Sequence, residues 1–305
     1  MFLAAALAVM PASAASISGG FAGRWDLTLS DGVRELPSWI EIVQGGGPPT
    51  ARFVGRWGNA RPLPRVEIAG DRIEFVSPKR EEGGKEDMVF KGWLEHGRIT
   101  GVANGPDGTT WTWAGVRAPD LSRAGAPRWG EPVTLFNGRD LANWHVRAPE
   151  LKNGWSVAQG DLENHPPSAD LVSQRQFTDF KLHIEFDCPK GCNSGVYLRG
   201  RYEVQIEDDS LKAAEIFRMA GIYGFLAANP QMPRRPGAWQ SYDVTLVGRR
   251  VTVAQNGVTV IDNQEIPGIT GGALDSREAE PGPIFLQGDH GSVSFRNIVV
   301  TPALP

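Results

Sequence analysis

The chain has 305 residues, 41% hydrophobic and 22% charged, with a formal net charge of -4. That balance excludes a disordered chain and leaves room for one large or two ordinary domains. Basic and acidic residues are interspersed, so neither a basic footprint for nucleic acid nor a charged tail is present. Glycine (37), proline (23) and tryptophan (10) are plentiful, as many turns between many short strands require.

The first element is MFLAAALAVMPASAASISGG, an apolar run ending in the small-residue site Ala12-Ser13-Ala14. It reads as a secretory signal peptide over residues 1–15, although no Lys or Arg precedes the apolar run. The run is too short to span a bilayer. The expectation is export to a periplasmic or secreted location, with no stable membrane span after the signal is removed.

Residues 17–117 follow as short alternating segments, among them RWDLTLS, SWIEIVQ, DRIEFVS, DMVFKGWLE and TTWTWAGV, separated by SDG, QGGGPP, AGD, EHG and NGPDG. This predicts a smaller antiparallel β-domain, either a small barrel or a curled sheet. Trp111 and Trp113 share one strand face; the core is the default reading for them, with a sugar-stacking platform as the alternative. A Pro-, Gly- and Ala-rich stretch, residues 118–131, reads as a linker.

Residues 132–305 supply a second set of strands: FKLHIEFD, SGVYLRG, YEVQIED, SYDVTLVG, VTVAQNG, GVTVIDN, GPIFLQG and SVSFRNIVV. One helix is expected at SLKAAEIFRMAG, with Asp208, Asp209 or Ser210 as its N-cap and Gly221 closing it. The predicted class is all-β, with a jelly-roll sandwich as the second domain. The two cysteines, Cys188 and Cys192, are separated by a Pro-Lys-Gly turn. Export permits a disulfide between them, and two free thiols remain open.

Candidate chemistry lies on the polar strand faces. In YEVQIEDD, Glu203, Gln205 and Glu207 alternate with Val204 and Ile206. Such a face is either solvated or the floor of a cleft. His183 and Glu185, Tyr197 and Arg199, and Gln287 leading into Asp289 and His290 show similar polar alternation. If these strands are neighbours, they form one patch of groups suited to sugar hydroxyls. A conventional glycosidase needs two carboxyl groups roughly 5 to 9.5 Å apart. Glu203 and Glu207 are about 13 Å apart along an extended strand, so that pair is not on this strand.

The second domain resembles the 3-keto-disaccharide hydrolase family, also described as 3-keto-glucoside lyase/hydratase. LFNGRDLANW (135–144), FTDFKLHIEF (177–186), NSGVYLRGRYEVQIED (193–208), GIYG (221–224), AWQSYDVTL (238–246), QNGVTVID (255–262) and GPIFLQGDHGSVSFRNIVV (282–300) carry the resemblance in order. It implies a concanavalin A-like jelly roll and a carbohydrate substrate already oxidised at C3. Such a ketone acidifies the C2 proton, so elimination of the C1 substituent needs one base, one acid and enolate stabilisation. By position, Glu203 and His290 are the catalytic candidates. Arg199, Gln205, Tyr223, Gln287 and Asp289 are the substrate-binding candidates. A divalent metal ion is one way to polarise the ketone, with Glu203, Asp289 and His290 as candidate ligands. The alternatives are a non-catalytic carbohydrate-binding protein and a conventional glycoside hydrolase. The first domain lies outside the resemblance, as an accessory module beside the groove or one that binds glycan.

Overall fold

The computed structural model describes residues 20–55, 58–208, 214–233 and 235–304. The signal-peptide expectation lies outside them. The described residues are almost entirely β, and no helix among them is long and apolar enough to cross a membrane.

Nine strands build the first sheet: β1 (Gly23–Ser30), β2 (Glu35–Val43), β3 (Thr50–Val54), β4 (Arg61–Pro62), β5 (Arg65–Ala69), β6 (Arg72–Ser77), β7 (Met88–Glu95), β8 (Arg98–Asn104) and β9 (Thr110–Arg117). Their order is β4-β3-β2-β1-β9-β8-β7-β6-β5, antiparallel throughout. The two edge strands, β4 and β5, are consecutive in the chain with only Leu63 and Pro64 between them. The sheet must therefore curl until its edges meet, enclosing Trp25, Leu27, Phe53, Phe75, Phe90, Trp111 and Trp113. The expected meander and its tryptophan core are both present. A Cβ on Gly92 or Gly101 would come within 2.5 Å of the Trp113 ring, so glycine on the neighbouring strands is what lets that indole lie flat.

The second part contains β10 (Val133–Thr134), β11 (Trp144–Val146), β12 (Trp155–Ala158), β13 (Asp161–Asn164), β14 (Leu171–Phe177), β15 (Phe180–Asp187), β16 (Asn193–Leu198), β17 (Tyr202–Glu207), β18 (Trp239–Val247), β19 (Arg250–Gln255), β20 (Val258–Glu265), β21 (Gly282–Leu286) and β22 (Val293–Pro302). They form two sheets. One runs β12-β13-β22-β15-β18-β19-β20, with β10 paired to β22; the other runs β11-β14-β21-β16-β17. Between them lies one large core. Phe180, Leu182, Ile184 and Phe186 of β15 meet Val196, Leu198, Val204 and Ile206 of β16 and β17 there. This is the expected two-sheet sandwich.

Two expectations need correction. The polar faces do not all join, because β15 belongs to the opposite sheet from β16, β17 and β21. Its polar side faces outward: His183 lies 2.7 Å from Asp243, and Glu185 accepts hydrogen bonds from Arg296 and Asn297. The helix expected at 210–221 is also not formed over its described residues. They hold one short 3-10 turn, Glu215–Phe217, and then run alongside β17. Ala220 N–H donates to Gln205 O, Gln205 N–H to Gly221 O and Tyr223 N–H to Glu203 O. Pairing with an open strand edge satisfies this backbone better than a lone helix turn would.

Cys188 and Cys192 are joined in a disulfide. It closes the turn that delivers the chain to Asn193, the first residue of β16.

Candidate active site

The five-stranded sheet carries a polar cavity of about 400 Å³ on the face away from the core. Its floor is Tyr197 on β16, Glu203 and Gln205 on β17, and Phe285 on β21. Arg147, Asp170, Asn193, Tyr223, Gly271, Gly272, Gln287, Asp289 and His290 form the rim, with Gly58 from the first sheet. A larger groove of about 660 Å³ lies between the linker and β18–β20. Its arginines are already engaged: Arg123 pairs with Asp179, and Arg249 lies near Glu278 and Glu265. The smaller cavity is where candidate chemistry converges.

Antiparallel pairing of β16 and β17 sets Tyr197 opposite Glu203 and Gly195 opposite Gln205. Gly195 has a definite role: a Cβ there would come within 2.3 Å of Glu203 Oε1. Its bare backbone is the space in which the carboxyl lies. Glu203 is only 4% exposed. Burial, reinforced by the charges of Asp170 and Asp289, pushes its carboxyl up to about 8, while the Tyr197 hydroxyl and His290 pull in the other direction. Desolvation dominates because no cation contacts the carboxylate directly among the described residues.

The Tyr197 hydroxyl lies 2.9 Å from Glu203 Oε2 and 2.9 Å from the Gly271 carbonyl. Its ring stacks on Phe285 with centroids 4.2 Å apart. Burial and the neighbouring Glu203 hold this phenol well above its ordinary range, so it stays protonated. Tyr223 is raised by the same two causes.

Across the cavity, His290 Nδ1 is hydrogen-bonded to Asp289 Oδ1, and both side chains are about half exposed. The hydrogen bond lowers Asp289 and raises His290, favouring the imidazolium–carboxylate pair. Asp170 is raised, chiefly by burial, although it accepts a hydrogen bond from Gly288 N–H. Arg147 lies 3.4 Å from Asp170 and donates to the carbonyls of Gly272 and Ala273. Gln205 Oε1 and Gln287 Oε1 are buried with no hydrogen-bond partner among the described residues. Buried oxygens of this kind are suited to accepting hydrogen bonds from a hydroxylated ligand.

Of the seven residues singled out in the sequence, six line this cavity: Glu203, His290, Gln205, Tyr223, Gln287 and Asp289. Arg199 does not, which corrects its assignment to substrate binding. It sits in the turn between β16 and β17 with φ +53°, so the strand alternation that pointed it toward the cavity stops before it. Its buried guanidinium donates to the Tyr202 hydroxyl and the Gly248 carbonyl. Glu207 is buried with Oε1 toward Met219 N–H and is absent from the cavity lining. Arg147 and Asp170 are cavity residues that sequence reasoning missed. Both lie in loops beside strand ends, where no periodicity marks them. Tyr197 was visible on its polar face, but nothing local assigned it a partner.

The three candidate metal ligands, Glu203, Asp289 and His290, line one cavity. Among the described residues no three His, Cys, Asp or Glu side chains are grouped to hold a metal ion. Glu203 is bonded to Tyr197, and the facing nitrogen of His290 is bonded to Asp289. Glu203 Oε1 and His290 Nε2 lie outside those two hydrogen bonds and are the donor atoms these residues would offer a metal.

A 29%-identical structure from Parabacteroides distasonis, described as a proposed glycosyl hydrolase, aligns over 57% of this chain and 84% of its own, with a TM-score of 0.48. A second proposed glycosyl hydrolase from that organism is 25% identical over 57% of this chain and 100% of its own, at a TM-score of 0.45. The carbohydrate-binding module CBM66 from Bacillus subtilis covers 52% of this chain and 95% of its own, at 12% identity and a TM-score of 0.34. No curated protein matches. The model of the 3-keto-alpha-glucoside-1,2-lyase-like domain matches residues 131–301, more than half of the chain. Over its second part, this chain belongs to the 3-keto-alpha-glucoside-1,2-lyase-like domain family.

Proposed function

We propose that this protein is a carbohydrate-active enzyme that cleaves 3-keto-glycosides by elimination, with hydration of the product completing a net hydrolysis. The observation that carries this reading is Glu203: a buried carboxyl, pushed up to about 8, held by Tyr197 on the floor of a polar cavity. A base must bind a proton strongly enough to take it from carbon, and a buried carboxylate does so better than a solvated one.

In the forward step the Glu203 carboxylate takes the proton from C2. The C2–H electron pair forms the enolate with the C3 ketone. Collapse of the enolate breaks the C1–O bond, and the leaving oxygen takes a proton from the His290 imidazolium. The products are a 3-keto-2-hydroxy-glucal and the free alcohol. Addition of water at C1 and return of a proton to C2 give the 3-keto sugar. Tyr223 donates to the ketone oxygen, Gln205 Oε1 and Gln287 Oε1 accept from the sugar hydroxyls, and Asp289 keeps His290 protonated.

One observation favours a second reading. Glu203 shares its cavity with Asp170 and Asp289, and a conventional hydrolase needs such an acid–carboxylate pair, here one strand residue and one loop residue. Parallel incubation of the protein with a simple glucoside and with its 3-keto derivative separates the two. Elimination predicts cleavage of the keto sugar alone, with solvent deuterium appearing at C2. Cleavage of the unoxidised glucoside would favour the conventional hydrolase. Binding without cleavage of either sugar would leave the lectin reading.

A further inference from the structure

The first sheet lies outside the family match, yet it touches two segments of the cavity wall at one end. Gly58, in the chain just before β4, lines the cavity and accepts a hydrogen bond from Gly271 N–H at 3.0 Å. Its neighbour Asn59 packs on Gly224, where an added Cβ would come within 2.2 Å of Asn59 Cβ. Gly224 directly follows Tyr223 of the rim. The Trp39 indole, on β2, is fully buried in the core of the second part and donates to the Ile269 carbonyl at 2.9 Å. The same ring lies 5.9 Å from that of Phe225. Gly58 and Asn59 thus bridge the 223–225 and 269–271 segments, and Trp39 fastens both from the core.

Strand register orders the cavity from end to end. Tyr197 stands level with Glu203 on one side and Phe285 on the other. The Gly271 carbonyl lies 2.9 Å from the Tyr197 hydroxyl, and a Cβ on Gly272 would come within 2.6 Å of it. Gly195 is level with Gln205, and its carbonyl accepts from Gln287 N–H. Asn193 is level with the loop that carries His290, since a Cβ on Gly291 would come within 2.5 Å of Asn193 N. From Tyr197 to Asn193 is roughly 13 Å along the strand. The Tyr197 end is closed by Gly58, Gly271 and Gly272, with Arg147 holding the Gly272 and Ala273 carbonyls. At the Asn193 end, Asp289 and His290 are about half exposed. The cavity is therefore blind on the side of the first sheet and open on the side of His290.

We propose that the first sheet makes the blind end of the sugar site and so limits it to terminal sugar units, with C1 of the ring toward His290 and C4 toward Gly58. The orientation rests on the elimination reading. An acid at His290 puts C1 and the leaving oxygen at the open end, and a base at Glu203 puts C2 one step inward. Continuing round the ring, C3 and C4 meet the wall. A substituent on C1 emerges into solvent, whereas one on O4 has no exit, so an interior unit of a chain is excluded. Gly58 is the specificity-determining contact, and Asn59 and Trp39 are positioning residues that hold the wall.

The test gives the full chain three probes: the 3-keto derivatives of methyl glucoside, of phenyl glucoside and of the 4-O-benzyl ether of methyl glucoside. The phenyl probe should be cleaved at least as well as the methyl one. The 4-O-benzyl probe should be slower in kcat/KM by about 100-fold or more, the scale on which a fitted pocket rejects surplus bulk. Trp39→Phe combined with Asn59→Gly removes the bond to Ile269 and the packing on Gly224. That double variant should raise the kcat/KM of the 4-O-benzyl probe relative to the methyl probe by about 10-fold or more. A merely destabilised protein would lose all three activities alike and leave the ratio unchanged. If the double variant does not fold by circular dichroism, Asn59→Gly alone takes its place. Equal cleavage of the 4-O-benzyl probe by the wild type, or an unchanged ratio in the folded variant, would overturn the proposal. Binding of the three unoxidised glucosides, followed by saturation-transfer NMR, needs no turnover. Rejection of the 4-O-benzyl ether there, relieved in the variant, with no keto probe cleaved, would overturn the elimination reading and leave the blind wall standing.

Discussion

Glu203 and His290 divide the proposed proton transfers between a group whose base form is disfavoured and one whose acid form is favoured. Burial raises Glu203, and Asp289 raises His290. Glu203→Gln should lower kcat by about 10²- to 10⁴-fold with little change in KM, the usual range for losing a general base. It should also make the protein more stable in mildly alkaline buffer. A carboxyl whose folded value is raised from 4.5 to about 8 contributes stability below its unfolded value, and that stability is lost as pH rises through the folded one. The amide has no such loss, so thermal melts of the two proteins at alkaline pH should favour the variant. Asp289→Asn removes the hydrogen bond that raises His290. The alkaline limb of kcat/KM should then move to lower pH, as a pH–rate series on the variant would record.

At the scale of elements, the β16–β17 hairpin is the part of the sandwich that makes the cavity floor. β17 reads as a half-polar strand, yet all six of its residues are buried. Val204 and Ile206 enter the core, Glu203 and Gln205 face the cavity, and residues 220–223 pair along its free edge. Gly195 supplies the remaining condition, a strand without a side chain where the Glu203 carboxyl lies. Gly195→Ala should leave the backbone conformation acceptable but displace that carboxyl. The expected outcome is a loss of about 10- to 100-fold in kcat/KM, on the scale of a misplaced reacting group, with a nearly unchanged melting temperature. Wild-type kinetics in a folded Gly195→Ala would mean that Glu203 does not act from this position.

At the scale of the molecule, the first sheet and the sandwich meet through a buried ionic cluster as well as through Trp39. Arg24 bridges Asp26 and Glu278, Arg249 lies 3.6 Å from Glu278, and the Tyr202 hydroxyl donates to Glu278 at 2.6 Å. Arg199 bonds to that same tyrosine. Burial, followed by the charge of Glu278, raises Asp26 from 3.8 to about 7. The sign is the same as for Glu203: stability present below pH 3.8 is lost as pH rises toward and through 7. Asp26→Asn should flatten the fall in melting temperature across that window. A slope identical to wild type would place the pH dependence of the seam elsewhere.

The hydrophobic alternation, the turn residues and the Pro-rich stretch at 118–131 were enough to determine an all-β protein with a curled sheet followed by a sandwich, because period-2 burial is written into each strand locally. The same alternation put Glu203, Gln205 and Gln287 on polar faces, and the order of the family-like segments drew in Tyr223, Asp289 and His290. Only the tertiary structure decided which faces share a cavity. It assigned β15 to the opposite sheet, turned Arg199 away at a positive-φ residue, and brought Arg147 and Asp170 in from loops. The raised value of Glu203 and the grip of the first sheet on Gly271 belong to the fold as well. Desolvation and hydrogen bonding between residues tens or hundreds of positions apart depend on packing, and no local pattern encodes them.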